Sequence, residues 1–151
     1  KTHQTKDTND KVFHKRSAFL RFVCTILAIH LAHMTAQEIL TQLVSFPVLG
    51  GESNLSILEW IKSYIERHGI ATHLVPNEDG SKASLHCRIG PPADGGVILS
   101  GHMDVVPVEG QAWDTNPFVL TDGNDGKLYG RGSCDMKGFL ACCLAVLLEL
   151  T

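Results

Sequence analysis

The feature that most limits the fold is the segment 136–150, which is apolar nearly all round. Such a helix has no polar face to turn toward water, so the pattern predicts a helix buried on every side. It follows a glycine-rich turn, Gly130-Arg131-Gly132-Ser133-Cys134-Asp135. A second apolar run, Val97-Ile98-Leu99, is short and predicts a strand over 97–100 covered on both faces. The chain is 44% hydrophobic over 151 residues, enough for a packed core, and its length allows about one domain.

The elements upstream agree with this. Thr35-Ala-Gln-Glu38 is a capping box, and Ile39, Leu40, Leu43 and Val44 form a helical stripe behind it. Glu52-Ser53-Asn54 opens a second helix, with Leu55, Leu58, Ile61 and Ile65 on one face and a stop at His68-Gly69. Short β-type runs follow at 71–75, 83–89 and 97–100, and another at 127–129. A loop rich in Pro, Trp and Gly spans 105–126. Helix, helix, strands and helix read as an α/β fold.

Charge divides the chain at Met34. Residues 1–33 carry a balance of +4 and residues 34–151 a balance of −7, giving the net −3. That sign argues against nucleic acid as a partner. The apolar stretch 17–32 is interrupted by Arg21 and His30, and no run of 18 apolar residues exists, so no membrane partner is expected. Read as a signal peptide, the stretch places His30 where a small residue is needed. The expectation is that the ordinary protein starts at Met34, that 1–33 is an extension outside the fold, and that 34–151 is the N-terminal portion of a catalytic domain. Five Cys, an odd number without metal-finger spacing, do not make a disulfide framework. A reducing, cytoplasmic compartment is expected.

Two places concentrate polar groups at the ends of apolar elements. In Ser100-Gly101-His102-Met103-Asp104, His102 leaves the expected strand at its carboxyl end, where open α/β sheets bind ligands. His102 and Asp104 point the same way on an extended backbone. A metal-ligating imidazole is typically oriented by a carboxylate on its other nitrogen. A strand-end histidine beside a turn aspartate satisfies the same pattern. Asp135 is the second place. Taken alone it reads first as a helix N-cap, worth about 1 kcal/mol, and otherwise as a carboxylate bridging two cations, as in two-metal hydrolases. Cys134, Cys142 and Cys143 are expected to be buried structural residues. His68, His73 and His86 are expected to face solvent or cap elements. Gly130 and Gly132 lack the spacing of a nucleotide loop.

Read together, Ser100-Gly-His102-Met-Asp104-Val-Val-Pro107, Gly110-Gln-Ala-Trp113, Pro117-Phe118 and Leu128-Tyr-Gly-Arg-Gly-Ser-Cys-Asp135-Met-Lys-Gly138 resemble the di-metal aminoacylase/carboxypeptidase (zinc peptidase) family. Leu43-Val-Ser-Phe-Pro47 and Gly51-Glu-Ser-Asn54 fit as well, so the resemblance covers about residues 34–150. Val48-Leu49-Gly50 departs from it, standing where small polar residues are usual. The resemblance implies a partial three-layer zinc-exopeptidase-like α/β domain with a mixed sheet, incomplete at its C-terminus. It implies that His102 is a metal ligand, Asp135 a bridging ligand and Asp104 the supporting catalytic aspartate. It implies a cis peptide between Asp135 and Met136, and two divalent ions, Zn²⁺ or Co²⁺, acting on a small-molecule N-acyl amino acid. The family's Glu-Glu pair, its later ligands and its lid, through which it forms homodimers, would fall beyond Thr151. The expectation is therefore a hydrolase parent and an inactive, aggregation-prone 151-residue chain.

Overall fold

The computed structural model describes residues 33–150. Residues 1–32 lie outside the described part, and with them nearly all of the expected extension and Cys24. The described chain is mixed α/β, in the order helix, helix, hairpin, hairpin, helix.

Helix α1, Ala36–Val44, begins at a complete capping box. Thr35 Oγ1 accepts from the Glu38 N–H at 3.2 Å, and the Thr35 N–H donates to Glu38 Oε2 at 2.7 Å. The backbone bond and the Thr35 hydroxyl together hold the Glu38 carboxyl below its ordinary range. Ile39, Leu40, Leu43 and Val44 are all buried, as their spacing requires. Helix α2, Leu55–Glu66, buries Ile57, Leu58, Ile61, Tyr64 and Ile65. Leu55, expected on that face, is exposed. It is the first helical residue, and its side chain leans back past the end of the helix. Asn54 makes no cap bond. Its amide clasps the following hairpin instead, accepting from the Ala83 N–H at 3.0 Å and donating to the Ala83 carbonyl at 2.9 Å.

Strands β1, Thr72–Pro76, and β2, Ala83–Cys87, pair antiparallel beneath α2. Leu74 and Leu85 face inward, and His73 and His86 face outward. The expected run 83–89 stops at Cys87; beyond it the Arg88 guanidinium bonds the Pro91 carbonyl at 2.7 Å. Strands β3, Thr121–Asp122, and β4, Leu128–Tyr129, form a second antiparallel pair. Nothing in the sequence marks β3, which lies inside the expected loop.

Three expectations are corrected. Residues 97–100 form no strand, and Val97 and Ile98 are 86% and 92% exposed. A strand exists through its neighbours' hydrogen bonds, and the described residues supply none alongside it. The one pairing nearby is a parallel bridge between Leu49 and Val105. There the Val105 N–H donates to the Val48 carbonyl at 2.8 Å, and the Gly50 N–H donates to the Val105 carbonyl at 3.1 Å.

The last helix, α3, runs Gly138–Glu149 and buries one face only, through Ala141, Leu144 and Leu148 packed toward α1. Phe139, Val146 and Leu150 are exposed. Cys142 and Cys134, expected in the core, are exposed as well, and Cys143 is half-buried. For Cys142 the reason is the same: no described element covers the far side of α3; Cys134 lies before it, in the turn Ser133–Lys137. The core itself joins the buried faces of α1, α2 and α3, with Trp60 stacked on Tyr64 at 5.5 Å. Among the described residues no helix is long and apolar enough to cross a membrane.

Candidate metal-binding site

Segment 100–104 crosses the start of α3 at close range. A Cβ on Gly101 would stand 2.9 Å from Leu140 Cδ2, 3.0 Å from Met136 Cε and 3.2 Å from Phe139 Cδ1. A side chain at 101 would have to push these groups aside, while the backbone angle there needs no glycine. The approach brings His102 to Asp135. Between them opens a cleft of about 300 Å³, walled by residues 104–107 on one side and 130–135 on the other, with Gly50 at its edge.

Asp135 does not cap the helix. It sits in the turn Ser133–Lys137 with extended backbone angles (φ −126, ψ 97), and α3 begins three residues later. The Asp135–Met136 peptide is cis, as the resemblance implied. Gly132 opens the turn with φ +81, and a Cβ there would meet Val105 Cγ1 at 2.6 Å. The turn can therefore lie against the residue that follows Asp104 only because position 132 has no side chain.

The three predicted site residues meet. His102 Nδ1 lies 3.0 Å from the Asp104 carbonyl oxygen and 3.3 Å from Asp104 Oδ1. His102 Nε2 lies 3.1 Å from Asp135 Oδ1. A carbonyl only accepts, so Nδ1 carries the proton in that bond. Nε2 can then face a carboxylate oxygen in two ways. It is the second N–H of an imidazolium, or it is a lone pair sharing a cation with the carboxylate. Two lone pairs alone would repel. Burial is the largest single influence on His102 and works to lower its pKa. The bonds to Asp135 and to the Asp104 carbonyl, with both carboxylate charges, outweigh burial and raise the pKa above its ordinary value. His102 is about half exposed at 48%, and Asp135 is open to water at 85%.

An imidazole nitrogen and a carboxylate oxygen are donors that zinc and cobalt accept. The pair thus fits part of a metal centre. Among the described residues, no group of three or more His, Cys, Asp and Glu side chains is placed to hold a metal ion.

Two neighbours escaped the sequence reading. Lys137 is fully buried, and its ammonium donates to the Phe46 carbonyl at 2.7 Å. Burial pushes its pKa down to about 8, against the opposing pull of the Asp104 charge. A lone cation at the head of an apolar segment was the available signal. Arg131 lies over the Trp113 ring at 5.1 Å and bonds Gln111 Oε1, pinning the 107–113 loop beside the cleft.

Residues 98–151 match the pattern of Peptidase family M20/M25/M40. The resemblance drawn from the motifs therefore holds, and the chain is similar to hydrolases of that family. It is 38% identical to an acetylornithine deacetylase of Pasteurella multocida over 60% of this chain and 23% of that protein. It is 32% identical to the acetylornithine deacetylase of Proteus mirabilis over 75% of this chain and 30% of that protein. It is 39% identical to a succinyl-diaminopimelate desuccinylase of Legionella pneumophila over 71% of this chain and 27% of that protein. The aligned part thus spans 23–30% of the length of these relatives.

Proposed function

We propose that this chain contributes the first part of the catalytic domain of a metal-dependent amide hydrolase that removes the acetyl group from N-acetylornithine, giving ornithine and acetate. In this reading His102 and Asp135 hold the metal, with Asp135 as the bridging ligand. Asp104 is the supporting aspartate, fixing the imidazole through Nδ1 so that Nε2 faces the cation. Bound Zn²⁺ or Co²⁺ supplies Lewis acidity toward the amide carbonyl and lowers the pKa of a bound water. The general base and further ligands come from outside the described residues, so the 151-residue chain alone is inactive. The whole protein is a cytoplasmic homodimer with a three-layer catalytic domain acting on a small-molecule N-acyl amino acid.

One observation carries the reading: Nε2 of His102 meets an Asp135 oxygen at 3.1 Å while Nδ1 is already committed to Asp104. The test is a cobalt titration of the 151-residue chain followed by visible absorption. His102→Asn and Asp135→Asn should each lose a cobalt band that the unaltered chain develops. A spectrum unchanged by both substitutions would falsify the assignment. Acetate release from N-acetylornithine by the purified chain above the no-enzyme rate would overturn the claim of inactivity.

A second reading rests on the relatives themselves. The Legionella pneumophila desuccinylase is as similar as the deacetylases. It would give the parent an N-succinyl substrate on the same metal chemistry, and competing the two substrates on the parent enzyme decides between them.

A further inference from the structure

We infer that His73 and His86 form a second transition-metal site, separate from the cleft. The two residues are direct partners in the β1–β2 register, one on each strand. Both side chains stand on the exposed face of the hairpin. Residues directly opposite in an antiparallel pair have Cβ atoms about 5 Å apart. Two imidazoles on such a base can close on one cation at the usual metal–nitrogen distance of about 2 Å.

The surroundings leave the rings available. Among the described residues no hydrogen bond or ion pair engages either ring, whereas His102 is held through both nitrogens. The rest of that strand face is Val75 opposite Ser84, with no carboxylate and no ammonium. Arg88, next along the chain, turns its guanidinium to the Pro91 and Ala93 carbonyls at 2.7 and 3.3 Å. Neither histidine lines the cleft. The ligand class follows from the donors: two imidazole nitrogens without carboxylate or thiolate suit nickel(II), copper(II) and zinc(II), not magnesium or calcium. Water fills the remaining positions, and the ion staples β1 to β2.

The test is equilibrium dialysis of the 151-residue chain against nickel chloride at about pH 7.5. The variants are His73→Asn, His86→Asn, the double variant and His102→Asn. The unaltered chain and His102→Asn should share one nickel site that both single variants weaken by about tenfold or more, because each ring raises the effective concentration of the ion at the other. Equal uptake by the unaltered chain and the double variant overturns the site. A loss confined to one single variant overturns it too, since it would mean a lone ring and no chelate. Both positions are exposed, so the variants keep the fold, which far-ultraviolet circular dichroism verifies.

Discussion

The ammonium of Lys137 and the carbonyl of Phe46, 91 positions apart in the chain, are joined by a 2.7 Å hydrogen bond inside the protein. One end lies two residues beyond Asp135; the other lies in the stretch that leaves α1 and leads to the bridge with Val105. The bond ties the turn that carries Asp135 to the stretch that bridges Val105. Lys137→Ala should cost about 3 kcal/mol or more, since it empties a packed volume and leaves the Phe46 carbonyl without a donor. Lys137→Met keeps most of the volume and removes a buried charge but also leaves the Phe46 carbonyl without a donor, and should cost about 1–2 kcal/mol, less than alanine. Urea denaturation of the two variants checks this, and equal losses would contradict it.

The capping box predicts a pH dependence. The folded pKa of Glu38 lies below its ordinary value of 4.5, chiefly through the Thr35 backbone bond. Its contribution is therefore complete above the unfolded carboxyl range and is lost as pH falls through the lower folded value. Glu38→Gln removes the titrating carboxylate and should flatten this acid dependence. Urea midpoints of both proteins, followed from about pH 6 to pH 3, measure it. Parallel curves would count against the cap.

Gly101 sets how closely segment 100–104 meets α3. The side chains it approaches are flexible at their ends, so Gly101→Ala should be mild. Gly101→Val should cost about 1–3 kcal/mol through overpacking. It should also weaken cobalt binding, because His102 moves with the segment. A valine variant with unaltered cobalt affinity would separate the two residues' fates.

Removing metal should lower stability. Zinc at about 100 times its Kd stabilises the folded chain by about 3 kcal/mol, and a chelator reverses this. The share due to the cleft disappears in Asp135→Asn, and the share due to the hairpin disappears in His73→Asn. Thermal melts of the two variants, alone and combined, read the shares directly.

The open stretch 97–99 predicts self-association. Ile98 is 92% exposed and flanked by further apolar side chains, a patch that invites contact with other molecules. Ile98→Lys should reduce light scattering at high concentration while leaving the melting temperature in place. Unchanged scattering would direct attention to the exposed face of α3.

What could be read from the sequence follows the range of the interactions involved. Thr35 and Glu38 are three residues apart, so their bond is a local matter and was legible. The stripe Ile39, Leu40, Leu43 and Val44 was legible because one period governs it. Val97, Ile98 and Leu99 were misread because a strand depends on neighbours that local pattern cannot supply. Cys142 was misplaced for a related reason: an all-apolar helix does not reveal which side is covered. Asp135 reads as an N-cap or as a ligand until the backbone at 135 and 136 departs from helical angles. The burial of Lys137 was hidden because its partner, Phe46, is remote in the chain. His102, Asp104 and Asp135 were found by motif, while the proton on Nδ1 required the carbonyl of Asp104 to be located.

The parallel bridge between Leu49 and Val105 makes the interhelical linker a hinge pin for the segment that carries His102 and Asp104. A proteolytic nick between α1 and α2, or an insertion beside Gly50, would let the residue after Asp104 swing free and slacken the grip on the imidazole. Damage in a stretch that contributes none of the proposed ligands would then be felt as lost affinity for the proposed cation.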